Sequence, residues 1–305
     1  MEKHRKKLIK NAAVFDGHSS GLAHGKKIVI EDDLVTEITG DEVSEENFGE
    51  VFDGTGMEAM PGMTDAHVHM GCLFAKGEFP VDYATVLTVA KCKDALMAGF
   101  TTFRDAGSVS EGLKLAFDEG VLPGPRIYPC GAYISQTCGH GDSEYAHTYR
   151  DIQYRHPSST VLVDGVPEII RAVREQFYRG ASHIKLMATE ILNRHEDIRL
   201  LFGTDMMITG PDYQVEQSED IRYYEKRFGT MRALRALTGT ANEVFALTTY
   251  QNPYPKGKIG VLEAGSYADL LLVDGDPTKS VSVLADTDHL RLIMKGGTVY
   301  KNTLC

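Results

Sequence analysis

The stretch AMPGMTDAHVHMG, residues 59–71, closes an apolar run with two histidines one residue apart, shortly after a Pro-Gly pair. Side chains alternate across a strand, so residues i and i+2 share a face. If this run is a strand, His67 and His69 point the same way. Two neutral imidazoles converging at a strand end make half of a metal site. The same spacing also fits two polar residues at an exposed strand end, and His-x-His alone does not separate the two readings. Pro61, Gly62 and Asp65 around the pair favour the first.

Outward from this motif the chain alternates. Residues 81–98 carry Ala84, Leu87, Ala90 and Leu96 at roughly helical spacing, closed by Gly99. GFTTFRDAG (99–107) reads as a strand ending at Asp105, and GPRIYPCGAYIS (124–135) as another. DGVPEIIRAVREQFYRGAS (164–182) reads as a helix. Asp164 is its candidate N-cap, Pro167 sits in the first turn, and Ile169, Ile170, Val173 and Phe177 form a stripe. HIKLMATE (183–190) and IRLLFGTDM (198–206) read as strands. A last helix is expected near 218–237, with Ile221, Tyr224, Phe228, Met231 and Leu234 on one side. Strand–helix alternation predicts a parallel sheet with crossover helices, and polar residues recur at strand ends, where such barrels build chemistry.

The flanks differ. KLIKNAAVFDG (7–17) and KKIVIEDDLVTEI (26–38) are short β-branched runs broken by turns. GSYADLLLVDGDP (265–277) and LRLIMKGGTVYKN (290–302) read the same way. Both ends are expected to meet in one small β-sandwich. The predicted parts are residues 1–58 and 248–305 for the sandwich and 59–247 for the barrel.

Composition bounds the function. The 305 residues are 42% hydrophobic, enough for a sizeable core, and carry a formal net charge of −11 with no long block of one sign. That argues against nucleic acid or an anionic membrane as partner. No apolar run of about 18 residues suggests a bilayer span, and no signal-type core follows the basic start. Five scattered cysteines (Cys72, Cys92, Cys130, Cys138, Cys305) fit free thiols in a reducing cytoplasm.

The motifs together carry a resemblance. PGMTDAHVHM resembles the first-strand metal motif of the amidohydrolase superfamily. AGFTTFRDAGS resembles its second strand, and KIGVLEAGSYADLLLVDGDP its return into the β-sandwich. YISQTCGHGD and ASHIKLMAT resemble a narrower branch of imidazolonepropionase-like proteins and Xaa-Pro dipeptidases or Arg/Lys carboxypeptidases. The resemblance implies a (β/α) barrel that hydrolyses an amide or dipeptide-like C–N bond. His67 and His69 would bind the more buried metal, zinc being expected. Lys185, carboxylated on its amine, would bridge two metals. Asp205, at the end of the last barrel strand, would be a ligand and the general base, and His140 would polarise the scissile carbonyl. Deaminase-type relatives lack the bridging lysine, which counts against that reading.

Each residue also has a plainer reading. Lys185 fits an ordinary strand-end lysine, Asp205 a turn cap, and His183 core or support for a ligand. Asp105 reads as ordering its loop, Arg104 and Arg126 as salt-bridging.

The family pattern also breaks. It requires two further histidines between Lys185 and Asp205, and only His195 lies there. About 20 residues join strands that the family separates by three βα units, each about 30 residues. Pro61 to Leu247 supplies about 187 residues where a full barrel takes about 250. The expectation is an incomplete barrel lacking a block near 190–199, with the first metal site kept and the second doubtful. Open edges invite self-association. A non-catalytic remnant, partner to an intact paralogue, is the rival reading.

Overall fold

The alternation around the two histidines becomes one extended run that serves two sheets. The computed structural model describes residues 6–70, 81–107, 109, 111–137, 139, 141–142, 160–187, 199–207 and 213–304. Seven strands lead up to the histidines: β1 (Lys6–Lys10), β2 (Ala13–Val14), β3 (Lys27–Glu31), β4 (Leu34–Thr39), β5 (Glu50–Asp53), β6 (Glu58–Pro61) and β7 (Met63–His69). Then come α1 (Val81–Met97), β8 (Phe100–Asp105), α2 (Glu111–Asp118), β9 (Arg126–Tyr128), β10 (Tyr133–Ser135), β11 (Thr160–Leu162) and α3 (Val166–Tyr178). After β12 (Met206–Met207) follow α4 (Tyr213–Phe228), α5 (Thr230–Leu237) and α6 (Gly239–Phe245). The chain returns through β13 (Leu270–Val273), β14 (Leu290–Lys295) and β15 (Thr298–Asn302).

Both ends do meet. One sheet runs β4-β3-β1-β5 and the other β15-β14-β13-β6-β2, so the second mixes both flanks of the chain. In β3, Ile28 and Ile30 are buried while Lys27, Val29 and Glu31 are only half-buried, the period-2 pattern of a one-sided strand. These isoleucines pack with Ile9, Val35 and Phe52 against Leu270, Leu272, Leu292 and Met294 of the facing sheet. Each such side chain contributes about 1.5–3 kcal/mol by leaving water. β13 is buried at all four positions. Leu270 and Leu272 face the sandwich, whereas Leu271 and Val273 join the barrel core with Met63, Phe100, Leu96 and Leu234. That double duty is why ADLLLV reads as a continuous apolar run. The β14–β15 hairpin turns on Gly296 and Gly297, both in the left-handed region (φ 53 and 70).

The barrel segment forms a parallel sheet β12-β7-β8-β9 and a parallel pair β10-β11. Among the described residues the strands do not close into a ring, so the barrel expected from the sequence is left open. No described helix is long and apolar enough to cross a membrane.

Several elements differ from the sequence expectation. The run 124–135 splits into β9 and β10, because Pro129 offers no N–H and Gly131 turns at φ 70. Among the described residues, 183–187 pair only through a bridge, Leu186 to Ile134, and Leu186 is 56% exposed. The predicted helix over 218–237 begins earlier and breaks at Gly229 (φ 82) into α4 and α5. In α3 the buried face is Ala172 and Gln176, while Ile169 and Ile170 stay exposed. Asp164 does not cap α3 with its side chain. Its carboxylate accepts from Thr137 instead, while its own N–H donates to Glu168 at 2.8 Å.

Candidate metal centre

β7 places His67 and His69 on one face, as alternation requires, and their ring centroids lie 5.5 Å apart. Residues 199–205 bring Asp205 alongside. They do so as an extended segment rather than the predicted strand; the strand proper is only Met206–Met207. Asp205 therefore precedes the last strand instead of ending it. Its N–H donates to the His67 carbonyl at 2.7 Å, and Ala66 N–H donates to Phe202 O at 2.8 Å. The backbones approach so closely that a Cβ on Gly203 would stand 2.7 Å from the His67 Cβ.

Asp205 itself adopts φ 55, a left-handed conformation that aspartate tolerates better than most residues. It carries the Oδ1 atom to 2.9 Å from His67 Nε2 and 3.2 Å from His69 Nε2. The three ligand atoms all lie within 4.8 Å of one another. Exposure rises across the set, from 12% for the His69 side chain to 37% for His67 and 72% for Asp205. The centre is thus rooted in the sheet at His69 and open to solvent at Asp205.

The donor chemistry fits a divalent cation. Burial, then the charge of Lys185, pulls the His67 pKa down to about 4 against the opposing pull of Asp205, so the ring is neutral at pH 7. Lys185 Nζ stands 2.8 Å from the same His67 Nε2 that Asp205 Oδ1 approaches. A neutral imidazole nitrogen either accepts from the ammonium or donates to the carboxylate, not both. Together the two Nε2 atoms and Oδ1 offer a divalent cation three N/O donors.

The support around the ligands comes from residues that the motif reading underused. Asp65 is fully buried on β7. Its Oδ1 accepts from His67 N–H (3.1 Å) and Thr204 N–H (3.3 Å), and its Oδ2 from Thr204 Oγ1 (2.9 Å) and Gln217 Nε2 (3.4 Å). It clamps the segment bearing Asp205 to the strand bearing the histidines. Its place two residues before the first histidine was the signal available in the sequence. Asp105 orders its loop as expected, accepting from Met70 and Val109 N–H at 3.2 Å each, and burial lifts its pKa to about 6. His183 Nε2–H donates to Asp105 O at 3.1 Å, and burial pulls its pKa down to about 3, so it is a neutral packing residue.

Of the two arginines expected to form salt bridges, Arg126 does so. It makes two hydrogen bonds to Asp269, at 2.7 and 3.2 Å. Arg104 does not pair with a carboxylate among the described residues. Among the described residues its hydrogen bond is a long 3.4 Å contact to Ala66 O. His140 and His195 lie outside the described residues. Cys92 and Cys130 are buried and form no disulfide among the described residues.

Residues 59–196 match the amidohydrolase family. The ochratoxinase of Aspergillus niger is 33% identical over 150 residues, covering 43% of this chain and 31% of that protein. The match thus spans about a third of the curated relative's length. Among solved structures, an amidohydrolase superposes with a TM-score of 0.84 at 23% identity, covering 98% of this chain and 100% of the other. A prolidase complexed with N-methylphosphonate-L-proline gives 0.83 at 22%, covering 97% and 100%. The A. niger ochratoxinase structure gives 0.75 at 18%, covering 98% and 96%. The chain shares the fold of these structures, and its match to the amidohydrolase family is confined to residues 59–196.

Proposed function

We propose that this amidohydrolase-type chain hydrolyses C–N bonds of small amide or dipeptide-like molecules with one divalent metal, zinc by its donor set. The observation that carries the reading is the convergence of His67 Nε2, His69 Nε2 and Asp205 Oδ1 on one point. The likeness to a prolidase and to a Xaa-Pro dipeptidase structure supports the substrate class.

His67 and His69 would hold the ion through Nε2 and Asp205 through Oδ1. A divalent ion there supplies Lewis acidity and brings the pKa of a water from about 16 toward 7. The second oxygen of Asp205 accepts the proton of the attacking water and returns it to the leaving nitrogen, a task suited to a carboxylate at the open side of the site. Lys185 is placed to act on His67. As an ammonium it competes for the imidazole lone pair, and as a carbamate it becomes an anionic ligand. His140 would polarise the carbonyl by the family resemblance.

The test is metal content of purified protein measured together with turnover of Xaa-Pro dipeptides and N-acyl amino acids. About one metal per chain with turnover that a chelator removes is expected. The absence of both metal and turnover would refute the proposal. That outcome favours the second reading, a non-catalytic relative, which the unclosed sheet and the half-paired Leu186 segment support.

A further inference from the structure

A pocket of about 300 Å³ is lined by Arg104, Ser182, His183, Tyr128, Phe245 and Leu247, together with two further residues of the 244–248 segment. Arg104 is near enough to His67 and His183 for its charge to depress both of their pKa values. Arg104 and Asp105 are consecutive on β8, so their side chains take opposite faces, and the Asp105 carboxylate is occupied by Met70 and Val109 N–H. The guanidinium is a half-buried cation with five donors, of which one makes a long contact. Burial pulls its pKa below the ordinary value, with no carboxylate among the opposing influences.

The other polar groups of the pocket are neutral. His183 donates from Nε2 to a carbonyl, and Ser182 Oγ lies 3.0 Å from both Pro129 O and His183 Nδ1. The apolar wall is flat: Tyr128 and Phe245 stack at 3.8 Å between centroids and 7° between planes.

We propose that this pocket binds a small carboxylate bearing an aromatic or branched apolar body, with the carboxylate on Arg104 and the body against Phe245 and Leu247. A planar guanidinium matches a carboxylate through paired N–H donors, and an uncompensated buried cation gains most from such a partner. The site needs no metal, so it stands or falls apart from the hydrolase reading.

The experiment is calorimetric titration of the full chain, with a chelator present so that no metal can hold the carboxylate. The probes are benzoate, its neutral isostere benzamide, and acetate. Benzoate should bind, with benzamide and acetate each about tenfold or more weaker. R104Q should reduce benzoate to the benzamide level. Because a variant at a buried arginine can fail to fold, L247W is the second arm. Leu247 is 65% exposed, so tryptophan there fills the mouth from the surface. It should weaken benzoate about tenfold while the melting temperature stays within about 2 °C. Equal binding of benzoate and benzamide, equal binding of benzoate and acetate, or benzoate affinity unchanged in L247W overturns the proposal. So does the absence of benzoate binding up to about 10 mM.

Discussion

Asp65 makes the sharpest prediction, because one buried carboxylate holds two segments that are 139 residues apart. Among its hydrogen bonds within the described residues are two at 2.9 and 3.1 Å and two longer, at 3.3 and 3.4 Å. A hydrogen bond to a charged group contributes about 1.5–3 kcal/mol net, so the two shorter bonds supply about 3–6 kcal/mol. The cost of burying the carboxylate offsets part of that, leaving about 3 kcal/mol for Asp65→Ala to remove. For a chain of this size that is a fall of about 6–12 °C in melting temperature. Asp65→Asn should cost only about 1 kcal/mol. Its Oδ1 keeps both backbone donors, and Thr204 Oγ1 and the Gln217 amide can turn to accept from its Nδ2. Metal affinity should also fall about 10- to 100-fold in the alanine variant, since Asp205 loses its anchor. Thermal melts and metal titration of both variants provide the assay. If the alanine variant melts within about 2 °C of the parent, or the two variants behave alike, the clamp reasoning is wrong.

Three other predictions follow from the same geometry. Asp205→Asn should abolish hydrolysis and metal binding with a melting shift under about 2 °C, because the side chain is 72% exposed; normal turnover would remove Asp205 from the mechanism. His183, ordinarily titrating near 6.5, has a folded pKa of about 3, so its contribution to stability is complete above 6.5 and is lost as the pH falls toward 3. Urea midpoints over that window should fall less steeply in His183→Gln than in the parent. Gly297→Ala would drive a Cβ to 1.9 Å from the Asp32 carbonyl oxygen at a left-handed position, so about 2–4 kcal/mol should be lost in a thermal melt.

Features that rest on local chemistry were readable in the sequence. His67 and His69 share a face because strands alternate, and Gly99 ends its helix because only glycine is at ease at φ 89. LRLIMKGGTVYKN is a hairpin because two glycines accept left-handed turns. Features that depend on neighbours were not. IRLLFGTD has strand composition, yet residues 202–205 are held by scattered bonds to Ala66, His67 and Ala236 and by Thr204 to Asp65, and end in a left-handed aspartate. HIKLMATE is apolar enough for a central strand, but among the described residues 183–187 make only the bridge to Ile134. Ile169 and Ile170 form a core-like stripe on α3 and stay exposed, because the described residues put nothing across from them. Arg104 and Arg126 look alike in sequence; only Arg126 meets an aspartate, 143 positions away.

Gly62 is the single residue between the sandwich strand β6 and the histidine strand β7, and its N–H donates to Asp269 O at 2.9 Å. β6 in turn is flanked by β13, whose other neighbour β14 is made only near residue 290. During synthesis, therefore, the imidazoles emerge well before β13 and β14, and their strand gains its permanent seat only once those strands have left the ribosome. Nicking or shortening that late portion should unseat the ligands as surely as mutating them.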